Sequence, residues 1–117
     1  MSRPWPADLV FDRSARLLRI AFDDGAALAI PFELLRVESP SAEVQGHGGQ
    51  RKIVPGKRMV GVTDAKPVGR YAVRIAFDDG HETGIYAWDF LRQLGEEAQA
   101  RMAAYEAALV ARGLSRD

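Results

Sequence analysis

The chain has 117 residues, of which 47% are hydrophobic and 27% charged, the balance of one folded globular domain. Sixteen basic and sixteen acidic residues leave no formal net charge, so no global field draws the protein to nucleic acid or to an anionic membrane. The absence of cysteine excludes disulfides, thiolate metal ligands and thiol catalysis. No apolar run reaches the ~18 residues of a membrane span, and the first residues lack the apolar core of a signal peptide. These features predict a soluble, cytoplasmic protein.

In chain order, a short strand is predicted at residues 8–11, and the first copy of an internal repeat follows. The segment Arg19–Gly25, RIAFDDG, recurs as Arg74–Gly80, an offset of 74 − 19 = 55 positions. In each copy apolar residues alternate with others, which is the period of a half-buried strand. Asp-Asp-Gly then supplies a hairpin turn, because Asp and Gly tolerate positive φ. A second strand is predicted at about 27–30 in the first copy and 82–86 in the second.

The aspartates of the repeat have two interpretations. Asp23, Asp24, Asp78 and Asp79 stand where a hairpin needs turn residues, and this is the interpretation we favour. Paired carboxylates can also act in acid–base chemistry or hold a metal ion, which we keep as the minority interpretation.

Between the copies, residues 37–70 contain a glycine-rich loop and a basic stretch. The loop matches neither a P-loop nor a dinucleotide-binding motif, since Arg51 stands where each pattern needs glycine. In a neutral protein we interpret the basic residues as a solvated loop. Two short apolar runs, 53–54 and 59–62, can form strands, and Pro67 with Gly69 predicts a turn over residues 63–69.

The C-terminal part is predicted to be helical. Trp88, Leu91 and Leu94 recur at helical spacing, and the alanine-rich segment Glu96–Arg112 is free of Pro and Gly. Its apolar stripe predicts a core or self-association face, so a homodimer is compatible with the sequence. The whole pattern predicts an α+β fold: a small, mostly antiparallel sheet built from two repeated β-hairpins, each followed by a short helical turn, plus a C-terminal α-helix.

Two histidines and the glycine-rich loop are the residues that could carry chemistry. His47 lies in the loop, and His81 directly follows the second Asp-Asp-Gly turn. An ordinary surface histidine is the default interpretation for each, whereas a shared metal site with nearby carboxylates is the alternative. Trp88 either is exposed and contacts a partner or packs in the hydrophobic core. The candidate binding surface comprises Ser39, Ser41, Glu43, Gln45, Gly46, His47, Gly48, His81 and Trp88.

Two runs, LRVESPSAEVQGH at 35–47 and FDDGHETGIYAWDFL at 77–91, resemble the gamma-butyrobetaine hydroxylase-like N-terminal domain family. The resemblance extends over roughly Trp5 to Leu94. We therefore predict that residues 1–94 form this domain and that residues 95–117 form a C-terminal helical extension of it.

The resemblance implies an ancestral-type metal site that this chain lacks. In the full hydroxylase the domain binds a structural zinc through three cysteines and one histidine. His81 matches the histidine, but the cysteine positions fall on Ser39, Ser41 and Val44. No zinc site of that type is expected, no cofactor is predicted, and His81 and His47 remain weak candidates for metal binding.

The resemblance also implies an accessory role. In the hydroxylases and the related trimethyllysine dioxygenases, this domain precedes an iron(II)- and 2-oxoglutarate-dependent catalytic domain, and similar domains are fused to Mrp-type iron–sulfur carrier ATPases. Neither histidine begins the His-x-Asp/Glu motif of the oxygenases, because Gly49 and Thr83 stand at the carboxylate positions. We predict a non-enzymatic domain that binds a protein partner, linked to iron–sulfur protein assembly or to a 2-oxoglutarate oxygenase. The alternative is a small metal-binding factor or enzyme using His47 and His81.

Overall fold

The computed structural model describes residues 5–41 and 52–117. The α+β prediction is confirmed, including the C-terminal helix. The elements in chain order are β1 (Pro6–Asp12), β2 (Leu17–Phe22), β3 (Ala27–Pro31), α1 (Phe32–Val37), β4 (Val62–Val68), β5 (Ala72–Phe77), β6 (Gly84–Ala87), α2 (Trp88–Glu96) and α3 (Ala98–Ala111). None of the helices in the described ranges has the length and apolar character needed to cross a membrane.

The strands form two antiparallel sheets of three strands each, in the orders β1-β2-β3 and β4-β5-β6. Both predicted hairpins are present, and each is preceded by a further strand. The two sheets also share a register shift near the start of the first strand, between Pro6 and Asp8 in one and between Val62 and Asp64 in the other. The unit of the repeat is therefore a three-stranded sheet followed by a helix, which is longer than the hairpin seen in the sequence.

The prediction for the segment before the second hairpin was wrong. Residues 63–69 are not a turn, because β4 runs to Val68, and residues 53–54 lie outside any strand. Only Val62 of the run 59–62 belongs to a strand. Pro67 suggested a turn, but β4 is an edge strand, where a residue without an N–H is tolerated. The register shift after Val62 also breaks the alternation that would have revealed the strand.

One core is shared by both repeats. The alternation predicted from sequence is confirmed, because Leu18, Ile20 and Phe22 of β2 are buried, as are their counterparts on β5, Val73, Ile75 and Phe77. All three helices add buried side chains to the same cluster. Burial of each large aliphatic or aromatic side chain contributes about 1.5–3 kcal/mol, so this cluster is the main source of stability.

The two Asp-Asp-Gly segments are hairpin turns, as predicted. In each, the second aspartate accepts a hydrogen bond from the backbone N–H two residues later: Asp24 from Ala26 at 3.1 Å and Asp79 from His81 at 3.0 Å. Gly25 and Gly80 have φ of 92° and 90°, a conformation that favours glycine. The turn geometry accounts for the Asp-Asp-Gly sequence without any catalytic role.

The helix of each repeat contacts the turn of the other repeat. Arg36 of α1 lies 2.7 Å from Asp79 of the second turn, and Arg92 of α2 lies 3.0 Å from Asp24 of the first. A further cross-link joins Tyr86 of β6 to α1, since its hydroxyl donates to the carbonyl oxygen of Leu35 at 2.5 Å. The repeats are thus interlocked by reciprocal contacts.

We expect Asp79→Asn to lower the free energy of unfolding by about 2 kcal/mol at neutral pH, because it leaves two cations side by side with no carboxylate between them. Asparagine can still accept the backbone hydrogen bond of the turn. The matched variant is Asp24→Asn, which should cost less, since Asp24 is more exposed and Arg92 keeps a second partner in Glu96. Urea unfolding followed by circular dichroism measures both losses, and an equal or greater loss for Asp24→Asn would contradict this account.

Candidate functional site

A polar cluster is buried beside the second turn, where the chain leaves α1. Ser39 is fully buried and His81 is 5% exposed, and Ser39 Oγ lies 2.8 Å from His81 Nε2. The backbone N–H of Ser41 donates to Ser39 Oγ at 3.3 Å, and the hydroxyls of Ser41 and Thr83 lie 2.6 Å apart. These contacts connect the end of α1 to the loop between β5 and β6.

Asp79 is the anionic centre of this region. One of its carboxylate oxygens lies 2.7 Å from Arg36 Nε and 2.6 Å from Lys57 Nζ. Partial burial alone would raise the pKa of Asp79, but hydrogen bonds from Lys57, the His81 backbone and Arg36 outweigh it and lower the pKa to about 2. Asp79 is therefore ionised throughout the physiological range.

Tyr86 lies on the side of the polar cluster that faces the hydrophobic core. Its ring is fully buried, and burial raises the pKa of its hydroxyl well above the ordinary value. The hydroxyl is therefore neutral and acts as a donor to α1. Tyr86 also stacks on Phe90, with ring centroids 6.1 Å apart, which fixes its orientation.

The structure brings together Ser39, Ser41 and His81 from the predicted candidate surface. They do not lie on an exposed surface, because all three are buried, and their side chains bond to one another or to Thr83. Their role in binding stays a prediction. The other loop members lie outside the described residues: Glu43, Gln45, Gly46, His47 and Gly48.

Trp88, the last member of the candidate surface, is half-buried and makes different contacts. Its ring lies edge-on to that of Trp5, with centroids 6.5 Å apart, and its indole N–H donates to the carbonyl oxygen of Arg70 at 2.8 Å. Its backbone N–H donates to the carbonyl oxygen of Tyr71. Trp5 is 48% exposed and Tyr71 60% exposed. We call Trp5, Tyr71 and Trp88 the aromatic surface.

Sequence reasoning did not identify Arg36 and Lys57 as parts of the polar cluster. One signal was available, because Arg36 and Arg92 occupy equivalent positions in the two repeats. That equivalence suggests a shared structural task, but only the fold shows that each arginine reaches the turn of the other repeat.

The residues at the positions of the family zinc ligands do not fit zinc. Structural zinc takes thiolate, imidazole or carboxylate ligands, whereas Ser39 and Ser41 offer neutral hydroxyls. The imidazole nitrogen that faces them, Nε2 of His81, is engaged with Ser39. Within residues 5–41 and 52–117, no group of three His, Asp or Glu side chains is arranged to hold a metal ion.

Comparisons with known proteins identify relatives over most of the chain. The family model described as gamma-butyrobetaine hydroxylase-like, N-terminal, matches residues 9–92. No curated protein matches the chain.

Several solved structures are similar to the chain, and three of them match over most of their length. One solution structure determined by NMR is 37% identical, with a TM-score of 0.86, over 99% of this chain and 92% of that one. A second NMR structure is 43% identical, with a TM-score of 0.85, over 98% and 86%. A crystal structure from Acidithiobacillus ferrooxidans ATCC 23270, of a protein of unknown function in the DUF971 family, is 38% identical, with a TM-score of 0.69, over 80% and 98%.

Acid should remove the stabilisation that Asp79 provides. Its folded pKa of about 2 is below the ordinary 3.8, so the contribution is complete above pH 4 to 5 and is lost as the pH falls towards 2. A shift of this size corresponds to about 2 kcal/mol. The free energy of unfolding, measured between pH 6 and pH 2.5, should fall more steeply for the natural chain than for Asp79→Asn. Parallel curves would refute the assignment.

Restoring thiolates should restore zinc binding. We expect the purified chain to take up no stoichiometric zinc, and the Ser39→Cys/Ser41→Cys double variant to bind one ion through both thiolates and His81. Isothermal titration calorimetry with zinc measures both. Adding His81→Ala to the double variant is the control and should weaken its binding at least roughly tenfold. Stoichiometric zinc on the natural chain would overturn the prediction.

Proposed function

Because the chain belongs to the gamma-butyrobetaine hydroxylase-like N-terminal domain family, we propose that it is a non-enzymatic accessory domain that binds a protein partner through its aromatic surface. The observation that carries this proposal is the exposure of Trp5 and Tyr71 beside Trp88. Tryptophan and tyrosine are enriched among the residues that dominate binding energy at protein interfaces. Their large rings bury much apolar area at a small cost in side-chain entropy.

The comparison of the two repeats supports a binding role for these rings. Phe32 occupies the position equivalent to Trp88, and its backbone N–H bonds to Arg16 just as that of Trp88 bonds to Tyr71. Phe32 is fully buried, whereas Trp88 keeps part of its ring accessible. Tyr71 stands where the first repeat has Arg16. The first repeat forms the same backbone contact without exposed aromatic rings at these positions, which supports a recognition role for the rings of the second repeat.

The aromatic surface is held in place before any partner arrives. Tyr71 lies over the backbone of Gly69, where a Cβ atom would come within 3.0 Å of its ring. Gly69 has a φ of 55° and leaves the room that this ring occupies. Trp5 is fixed through its backbone, since its N–H donates to Asp23 and its carbonyl accepts from the N–H of the same residue. Positioning of this kind lowers the entropy cost of binding.

The buried state of Ser39 supports a role without catalysis. A serine nucleophile must reach its substrate, and Ser39 Oγ is enclosed with His81 inside the protein.

The family resemblance favours two classes of partner protein, a 2-oxoglutarate-dependent oxygenase or an iron–sulfur carrier ATPase. We propose that the partner belongs to one of these classes.

Affinity capture from the source cells tests the proposal. The full tagged chain should enrich a specific protein, and Trp5→Ala and Tyr71→Ala should each reduce its recovery at least about tenfold, as expected for anchor residues. The matched control is Val110→Ala, which alters a side chain that is 80% exposed on α3. Unfolding midpoints of the variants verify that each remains folded. A partner retained equally by both aromatic variants would contradict the proposed surface.

A further inference from the structure

A cavity of about 200 Å³ lies between the end of α1, the segment at residues 52–54 and α3. These elements differ from the ones that carry the aromatic surface, so the cavity is independent of the proposed function. Its walls are mainly apolar and are formed by Val37, Ile53, Val54, Ala104 and Ala108. An apolar cavity of about 150 Å³ accommodates benzene, so this one has room for a ring with one further small group.

Charged groups line one part of the cavity. Arg101 is fixed by Glu38 at 3.1 Å and by Glu97 at 3.0 Å, through Nη1 and Nε respectively, which leaves its Nη2 for another acceptor. Lys52 is exposed and forms no ion pair within the described ranges. The lining residues thus include two cations and one carboxylate, Glu38. Arg101 is shared between Glu38 and Glu97, so Lys52 is the lining cation without a carboxylate partner in the described ranges.

Tyr105 contributes a ring rather than a hydroxyl to this cavity. Its O–H donates to the carbonyl oxygen of Val54 at 2.5 Å, which ties α3 to the segment at residues 52–54. This bond holds two walls of the cavity at a fixed separation. The cationic groups that line the cavity are those of Lys52 and Arg101.

We propose that this cavity binds a small carboxylic acid, with its apolar body between Ala104, Ala108 and Ile53 and its carboxylate against Lys52 and Arg101. The charge of Lys52, which no carboxylate in the described ranges compensates, selects an anion over an amine. The mainly apolar walls select a compact hydrocarbon body over a polar anion such as phosphate.

Benzoate is a suitable probe, and benzyl alcohol is its neutral counterpart of similar shape. Titration of the full chain, followed by amide chemical shifts in NMR, should show saturable changes confined to the lining residues. Benzoate should bind at least roughly fivefold more tightly than benzyl alcohol, because only benzoate uses the cations. Equal affinities, or no saturable change, would overturn the proposal.

Two substitutions on α3 give a matched pair. Ala108→Phe fills the cavity and should abolish the benzoate-induced shifts, whereas Ala107→Phe places the same ring at an exposed neighbouring position that does not line the cavity and should leave them intact. Lys52→Gln, at an exposed site, provides a variant with little risk to folding. It should weaken benzoate severalfold and leave benzyl alcohol unchanged. Retention of full benzoate affinity by either Ala108→Phe or Lys52→Gln would overturn the proposal.

Discussion

The reciprocal contact between helices and turns is the constraint that fixes how the two repeats fit together around their shared apolar core. Arg36 from the first repeat reaches the turn of the second, and Arg92 from the second reaches the turn of the first. This exchange joins each helix to the turn of the opposite hairpin, and the inner faces of both sheets pack on one core. A three-stranded sheet needs a packed apolar face to be stable, and here each repeat supplies part of that packing to the other.

The two repeats have the same backbone arrangement, but the charged side chains around their turns differ. Asp24 shares Arg92 with Glu96, so that turn has one cation between two carboxylates. Asp79 instead has two cations, Arg36 and Lys57, and is followed by the buried His81. The second turn thus faces the polar cluster, to which α1 and the residues after it contribute Arg36, Ser39 and Ser41, whereas the first turn has no equivalent cluster among the described residues. A duplicated fold can diverge in this way because the shared core holds both copies in place while one of them changes.

Much of the fold follows from local patterns in the sequence. Alternation identified β2 and β5, Asp-Asp-Gly identified the turns, and alanine-rich helical spacing identified α3. Strand β4 was not predicted, because Pro67 resembles a turn signal and because the register shift interrupts the alternation of apolar residues. Burial of Ser39 and His81 could not be predicted from residue type, since hydroxyl and imidazole groups are buried only where a partner satisfies them, and that partner lies 42 positions away. The same holds for Arg36, whose partner is 43 positions distant.

A double-mutant cycle on Arg36 tests the interlocked arrangement most directly. The free energies of unfolding of Arg36→Met, Asp79→Asn and the double variant should reveal a coupling of about 1 kcal/mol, because the two side chains are in contact and partly buried. The same cycle between Arg36 and Asp24, the turn of its own repeat, should show no coupling. Coupling of Arg36 to Asp24 in place of Asp79 would mean that each helix closes its own hairpin and would contradict the account.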